Sequence, residues 1–190
     1  MRKGKKLLIG NLWKYILVAV VSVFIWSAVF TSLGQIKDNQ RLTISVYNLD
    51  MDTQVLRDEI AGKLPELTQQ EILELYVDDM EHIPNQTYAT DLLTMQLLQA
   101  DLIIMPESLL KELDMAVYFP ELPEAMQSGT DYQIEGKHYG ILLSRYSQEE
   151  PVYLLLAGNS VNLGGILNKG NPEDDAALAV LQYLVKEDEQ

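Results

Sequence analysis

Tyr15 through Ile36 contains no charged residue, and its centre, Ile16-Leu17-Val18-Ala19-Val20-Val21-Ser22-Val23-Phe24-Ile25-Trp26, is almost wholly apolar. As an α-helix, a run of this length crosses a hydrocarbon core of roughly 30 Å. Arg2, Lys3, Lys5, Lys6 and Lys14 precede it, whereas the far side opens with Lys37, Asp38 and Arg41. The excess of basic residues before the span predicts a cytoplasmic N-terminus and an exported C-terminal part. Trp13 and Tyr15 are placed for the cytoplasmic interface. The expected organisation is a basic cytoplasmic tail (1–14), a transmembrane helix (15–36), a linker (37–41) and one extracytoplasmic domain (42–190), in a single-pass protein of the cell membrane. Ser32-Leu33-Gly34 leaves a cleaved signal peptide as the alternative, although the apolar run exceeds a usual signal-peptide core. Both readings export the domain.

The charge is unevenly divided. The formal net charge is −14, and setting aside the +5 of the five basic residues before the span leaves −19 for the rest. So acidic a surface repels nucleic acid and anionic lipid headgroups, which argues against a nucleic-acid-binding role. The chain has no cysteine, which excludes disulfides, thiol nucleophiles, thiolate metal sites and a lipid-bearing Cys.

Beyond the linker, strand-like and helix-like segments alternate. Leu42–Tyr47 reads as a strand ending in Asn48-Leu49-Asp50-Met51-Asp52. Asp52 or Thr53 can cap a helix whose apolar positions are Val55, Leu56, Ile60 and Leu64, closed by Pro65. Glu71–Val77 is a second strand candidate ending at Asp78-Asp79, and Ala89–Gln99 a helix. Leu102-Ile103-Ile104-Met105 has the wholly apolar character of a strand covered on both faces, ended by Pro106, with Ser108 placed to cap a short helix through Leu113. This βαβαβα order predicts a three-layer α/β/α sandwich. Tyr132–Ile134 and His138–Leu143 flank a hairpin turn at Glu135-Gly136-Lys137, and Val152–Ala157 is a further strand. After a Gly/Asn-rich stretch, Asn171 and Pro172 carry the signature of a helix start.

No catalytic motif stands out. Asp50-Met51-Asp52-Thr53 after a strand has the look of an aspartate-nucleophile phosphatase loop, but the Lys and later acidic pair such chemistry needs do not follow in order. Helix capping is the simpler role for these aspartates. Asp78, Asp79, Glu81 and His82 match no cation-loop spacing and read as a solvated charge run; no metal or cofactor is expected. Gly158–Gly165 lacks the Gly-Lys-Ser/Thr of a phosphate loop.

Taken in order, four segments resemble one lobe of the bacterial extracellular solute-binding proteins of ABC transporters, which have the type 2 periplasmic-binding fold. They are the opening strand Leu42–Tyr47, the helix running into Ala100-Asp101-Leu102-Ile103-Ile104-Met105, the Ile134–Leu142 segment with Lys137, Tyr139, Gly140 and Ile141, and Tyr153–Leu156 followed by Asp174–Lys186. The resemblance spans roughly Leu42 to Lys186. It departs from the family where a second lobe should enter, because only Ser144 to Pro151 separates the Tyr-Gly-Ile strand from the returning one. It implies a non-catalytic, membrane-anchored binding module or transporter accessory, contacting a small solute or an envelope protein through Asn48, Asp50, Asp52, Glu107 and Ser108 at the strand ends. An interaction domain without a small ligand is the alternative.

Overall fold

A computed structural model describes residues 3–34, 36–81, 89–147, 149–163 and 174–188. The chain divides into two units, Met1–Lys37 and Asp38–Gln190. The first is one helix, α1 (Lys3–Gly34). Its segment Leu12–Phe30 is long and apolar enough to cross a membrane.

The second unit is a mixed α/β domain. Its elements are β1 (Arg41–Tyr47), α2 (Thr53–Leu67), β2 (Glu74–Met80), α3 (Ala89–Leu97), β3 (Leu102–Pro106), α4 (Glu107–Leu110), α5 (Met115–Tyr118), β4 (Tyr132–Ile134), β5 (Lys137–Leu142), β6 (Val152–Leu156) and α6 (Ala176–Asp188). The six strands form one sheet in the order β2-β1-β3-β6-β5-β4. β1 runs parallel to both β2 and β3, and the remaining pairs are antiparallel.

Alternation along the strands builds two cores. Leu42, Ile44 and Val46 of β1, Leu102 and Ile104 of β3 and Leu154 and Leu156 of β6 share one face with Leu56 and Ile60 of α2 and Val180 and Leu181 of α6. Tyr47, Ile103, Met105, Tyr153 and Leu155 point the other way, onto Leu93 and Leu97 of α3, Leu109 and Leu110 of α4 and Met115 of α5. Helices therefore cover both faces, as the apolar β3 demands. β1 steps to β2 in one direction with α2 on one face. β2 steps back past β1 to β3 with α3 on the other, so the two crossovers have the same hand.

Local chemistry explains the boundaries. The Asp52 carboxylate accepts from the N–H groups of Gln54 (3.0 Å) and Val55 (3.2 Å) and so starts α2. Pro65 does not close that helix, which continues to Leu67, where Thr68 N–H meets Leu64 O at 3.2 Å. A proline in the last turn removes a single N–H, and the turn survives it. The hairpin turn is tighter than expected: Glu135 (φ 54°) and Gly136 (φ 80°) are its two central residues, and Lys137 already pairs with Ile134.

Other boundaries also differ from the sequence reading. β2 starts and ends three residues later than Glu71–Val77, so Asp78 and Asp79 lie inside the strand. α3 ends at Leu97, not Gln99. α4 stops at Leu110 and is preceded by Pro106, so Ser108 lies within it and does not cap it. Asn171 and Pro172 lie outside the described residues; Asp174 and Asp175 precede α6, with Ala179 N–H bonded to Asp175 O at 2.9 Å.

Candidate functional site

The sheet order changes direction at β1, whose neighbours β2 and β3 diverge from it in sequence. The loops after β1 and β3 therefore leave the same sheet edge side by side, where open α/β sheets form a crevice. Register places Val46 opposite Ile104, so Asn48 follows one strand end as Glu107 follows the other. The five expected residues, Asn48, Asp50, Asp52, Glu107 and Ser108, share this edge. Asn48 has a left-handed backbone (φ 51°), and its N–H bonds Met80 O at 3.0 Å, which turns the chain sharply off β1.

Most of the polar groups here have protein partners. Asp52 holds the first turn of α2. Glu107 pairs with Lys111 at 2.8 Å, raising the Lys111 ammonium pKa through that hydrogen bond. Ser108 donates from its N–H (2.9 Å) and its hydroxyl (3.0 Å) to the two oxygens of Glu150. Asp50 is exposed on the loop. Beneath the edge, the Tyr47 hydroxyl is buried with no hydrogen-bond partner among the described residues. Burial, and secondarily the nearby Asp78, push its ionisation far above the ordinary phenol range.

A second polar cluster, at the opposite sheet edge, is invisible to motif reading. Asp101, only 7% exposed, accepts from Thr43 N–H (2.8 Å), the Ser160 hydroxyl (2.5 Å) and the Asn162 amide (3.1 Å). That amide also donates to Arg41 O at 2.7 Å, and Asn162 Oδ1 accepts from Gln70 at 2.6 Å. Gln70 Oε1 in turn accepts from Ala176 N–H at 2.9 Å. One buried network thus ties β1, β3, the loop after β6, the loop before β2 and the start of α6. Desolvation raises the Asp101 carboxyl above its usual range, against the opposing hydrogen bonds from Ser160, Thr43 and Asn162. The network's internal saturation fits a clamp better than a binding site. Its only advance signal was the Ala100-Asp101 step before an apolar strand.

Ser128, Asp131 and His138 also meet. Asp131 accepts from Ser128 N–H (2.5 Å) and the Ser128 hydroxyl (2.6 Å) and lies 2.8 Å from His138 Nδ1. The hydroxyl bonds the carboxylate and not the imidazole. A serine nucleophile needs its hydroxyl on the base, so this trio acts as a loop clasp.

Two surface cavities stand out among the described residues. One of about 550 Å³ lies over the start of β1 and β2, lined by Arg41, Thr43, Tyr76, Asp78 and Gln99 among others. The second, about 510 Å³, lies between α6 and β5, with Met126, Ile141, Leu181 and Val185 in its walls. Asp78 and Asp79, adjacent in β2, point to opposite sheet faces and do not converge on one ion; His82 lies outside the described residues. Among the described residues no cluster of three or more His, Asp or Glu side chains is arranged to hold a metal. Comparison with family models, curated proteins and solved structures finds no match to this chain.

Proposed function

We propose that this chain is a membrane-anchored extracytoplasmic binding module, non-catalytic and solute-binding-protein-like. It would bind a ligand, or serve as accessory to a transporter, through the loops after β1 and β3. The observation that carries this reading is the reversal of strand order at β1, with β2 on one side and β3 on the other, both parallel to it, so that the loops with Asn48–Asp52 and Glu107–Ser108 leave the same end of the sheet. The N-terminal helix fits an anchor, N-terminus inside and domain outside, by the excess of basic residues before the span. The finer fold we propose is a reduced type 2 periplasmic-binding lobe. β5 and β6 are adjacent antiparallel strands whose connection, Leu143–Pro151, leaves no room for a second lobe.

The full-length chain in detergent micelles tests the proposal by thermal shift against sugars, amino acids, short peptides and divalent ions. A ligand at a hundredfold excess over its Kd stabilises by about 2.7 kcal/mol, a Tm rise of roughly 5–10 °C for a domain of this size. The rise should shrink in Asp50→Asn. No shift with any of these ligands, together with a co-purifying envelope protein, would replace the solute reading with a protein-interaction domain. One feature already favours that second reading: the groups of Asp52, Glu107 and Ser108 are taken up by α2, Lys111 and Glu150.

A further inference from the structure

β2 is the outer strand on the parallel side of the sheet. Glu74–Met80 pairs with β1 along its whole length and with no other described strand. Such an edge offers a row of main-chain N–H and C=O groups to an incoming strand. Proteins usually guard long edges with charge, and here the charge has one sign: Glu74, Asp78 and Asp79 with no Lys or Arg between Glu74 and Met80.

A cavity opens beside this edge. The 550 Å³ space over the start of β1 and β2 is walled by Tyr76 and Asp78, alternate residues on one face of β2, and, among others, by Asp38, Thr43, Gln99 and Asp101. Tyr76 is 42% exposed, so part of an aromatic side chain faces solvent on a strand. Arg41, the one cation in the lining among the described residues, is held 3.1 Å from Glu74 and lies 5.7 Å over the Tyr76 ring. The ring therefore already receives one guanidinium, which shows the kind of group the site accepts. A second copy of this chain is a poor occupant, because it would set one acidic edge against another.

We propose that the β2 edge takes an extended, lysine- or arginine-bearing segment of a partner protein as an added strand, with one cationic side chain seated in the cavity beside Tyr76 and Asp78. Main-chain pairing would supply the register and the acidic wall the selectivity. This surface is distinct from the loops after β1 and β3, so Asp50→Asn should leave it unaffected.

The test uses the full-length chain in micelles and a fluorescein-labelled peptide of alternating threonine and lysine. Two further peptides serve as comparisons: the glutamate counterpart, and the lysine peptide N-methylated at alternate residues. We expect saturable binding of the lysine peptide alone, with amide hydrogen exchange slowed across Glu74–Met80. Asp78→Asn should weaken it by about tenfold, the loss of one close charge partner at 1.4 kcal/mol per decade, while Glu121→Gln, an exposed acid outside the cavity, leaves it unchanged. Equal binding of the N-methylated peptide would overturn the proposal, since it would reduce the effect to attraction by an acidic surface. So would absence of binding by the lysine peptide, or protection that appears away from β2. The peptide arms need no variant to fold.

Discussion

Replacing Asp101 with alanine should cost the domain a large part of its stability. The carboxylate accepts from Thr43 N–H, the Ser160 hydroxyl and the Asn162 amide at 2.5–3.1 Å. Ser160 and Asn162 are 4% and 0% exposed, so their donors cannot turn to bulk water when the acceptor is removed. A buried donor left without a partner costs about 1–3 kcal/mol. Two such donors, with Asn162 still holding Arg41 O, give a loss of roughly 2–6 kcal/mol, against about 5–15 kcal/mol for a whole domain. Urea unfolding of the full-length chain in micelles, followed by the far-ultraviolet circular dichroism of the α/β domain, measures it. A loss below about 1 kcal/mol would refute the reasoning, because it would mean that water reaches these groups or that they re-pair.

The same residue sets a pH signature. Burial raises the Asp101 carboxyl in the folded state. The folded chain then holds that proton more tightly than the unfolded one, whose value is about 3.9. The resulting stabilisation is complete below that unfolded value and is lost as pH rises through the folded value. The stability of the native chain relative to Asp101→Asn should therefore fall with rising pH across that window. A difference that rises with pH, or stays flat, contradicts a desolvated carboxylate.

Three further predictions concern local structure. Asp52→Ala removes the cap from Gln54 and Val55 N–H and should cost about 1 kcal/mol in urea unfolding. Glu135→Asn should stabilise by about 0.5–1 kcal/mol, because Asn tolerates the positive φ that Glu135 adopts ahead of Gly136, and a Tm increase would register it. Gly158→Ala should destabilise by roughly 1–3 kcal/mol, since its Cβ would stand 2.8 Å from Tyr118 O, a backbone atom with little room to move.

Segments whose residues announce their own environment were legible in the sequence. The uncharged run lies mostly within α1, which begins earlier, at Lys3, and ends at Gly34; the wholly apolar Leu102–Met105 became the central β3, and the Glu135-Gly136 turn joined β4 to β5. β2 was misplaced by three residues because Asp78-Asp79 looks like a strand end, whereas an edge strand carries acids in its interior when its outer side faces water. The Asp101 network was legible only as the Ala100-Asp101 step before an apolar strand, not as a set of partners. Its members Thr43, Gln70, Asp101, Ser160 and Asn162 come from four segments, and nothing short-range in the sequence specifies that they meet. The candidate edge was legible in position, since residues following β1 and β3 gather there. Its internal saturation was not, because the Glu150 carboxylate that takes up Ser108 arrives from a loop 42 residues away.

The proposed function requires that the domain stand outside a membrane and that the N-terminal helix remain as its anchor. The chain's lack of cysteine makes this measurable with single introduced thiols. Glu149→Cys, at an exposed position of the domain, and Lys6→Cys, before the span, would be treated in intact cells with a membrane-impermeant maleimide, followed by mass analysis of the membrane fraction. The account predicts labelling at position 149 in intact cells, labelling at position 6 only after permeabilisation, and an intact full-length mass in the membrane. Labelling at 149 only after lysis, or a soluble product cleaved after Gly34, would contradict it.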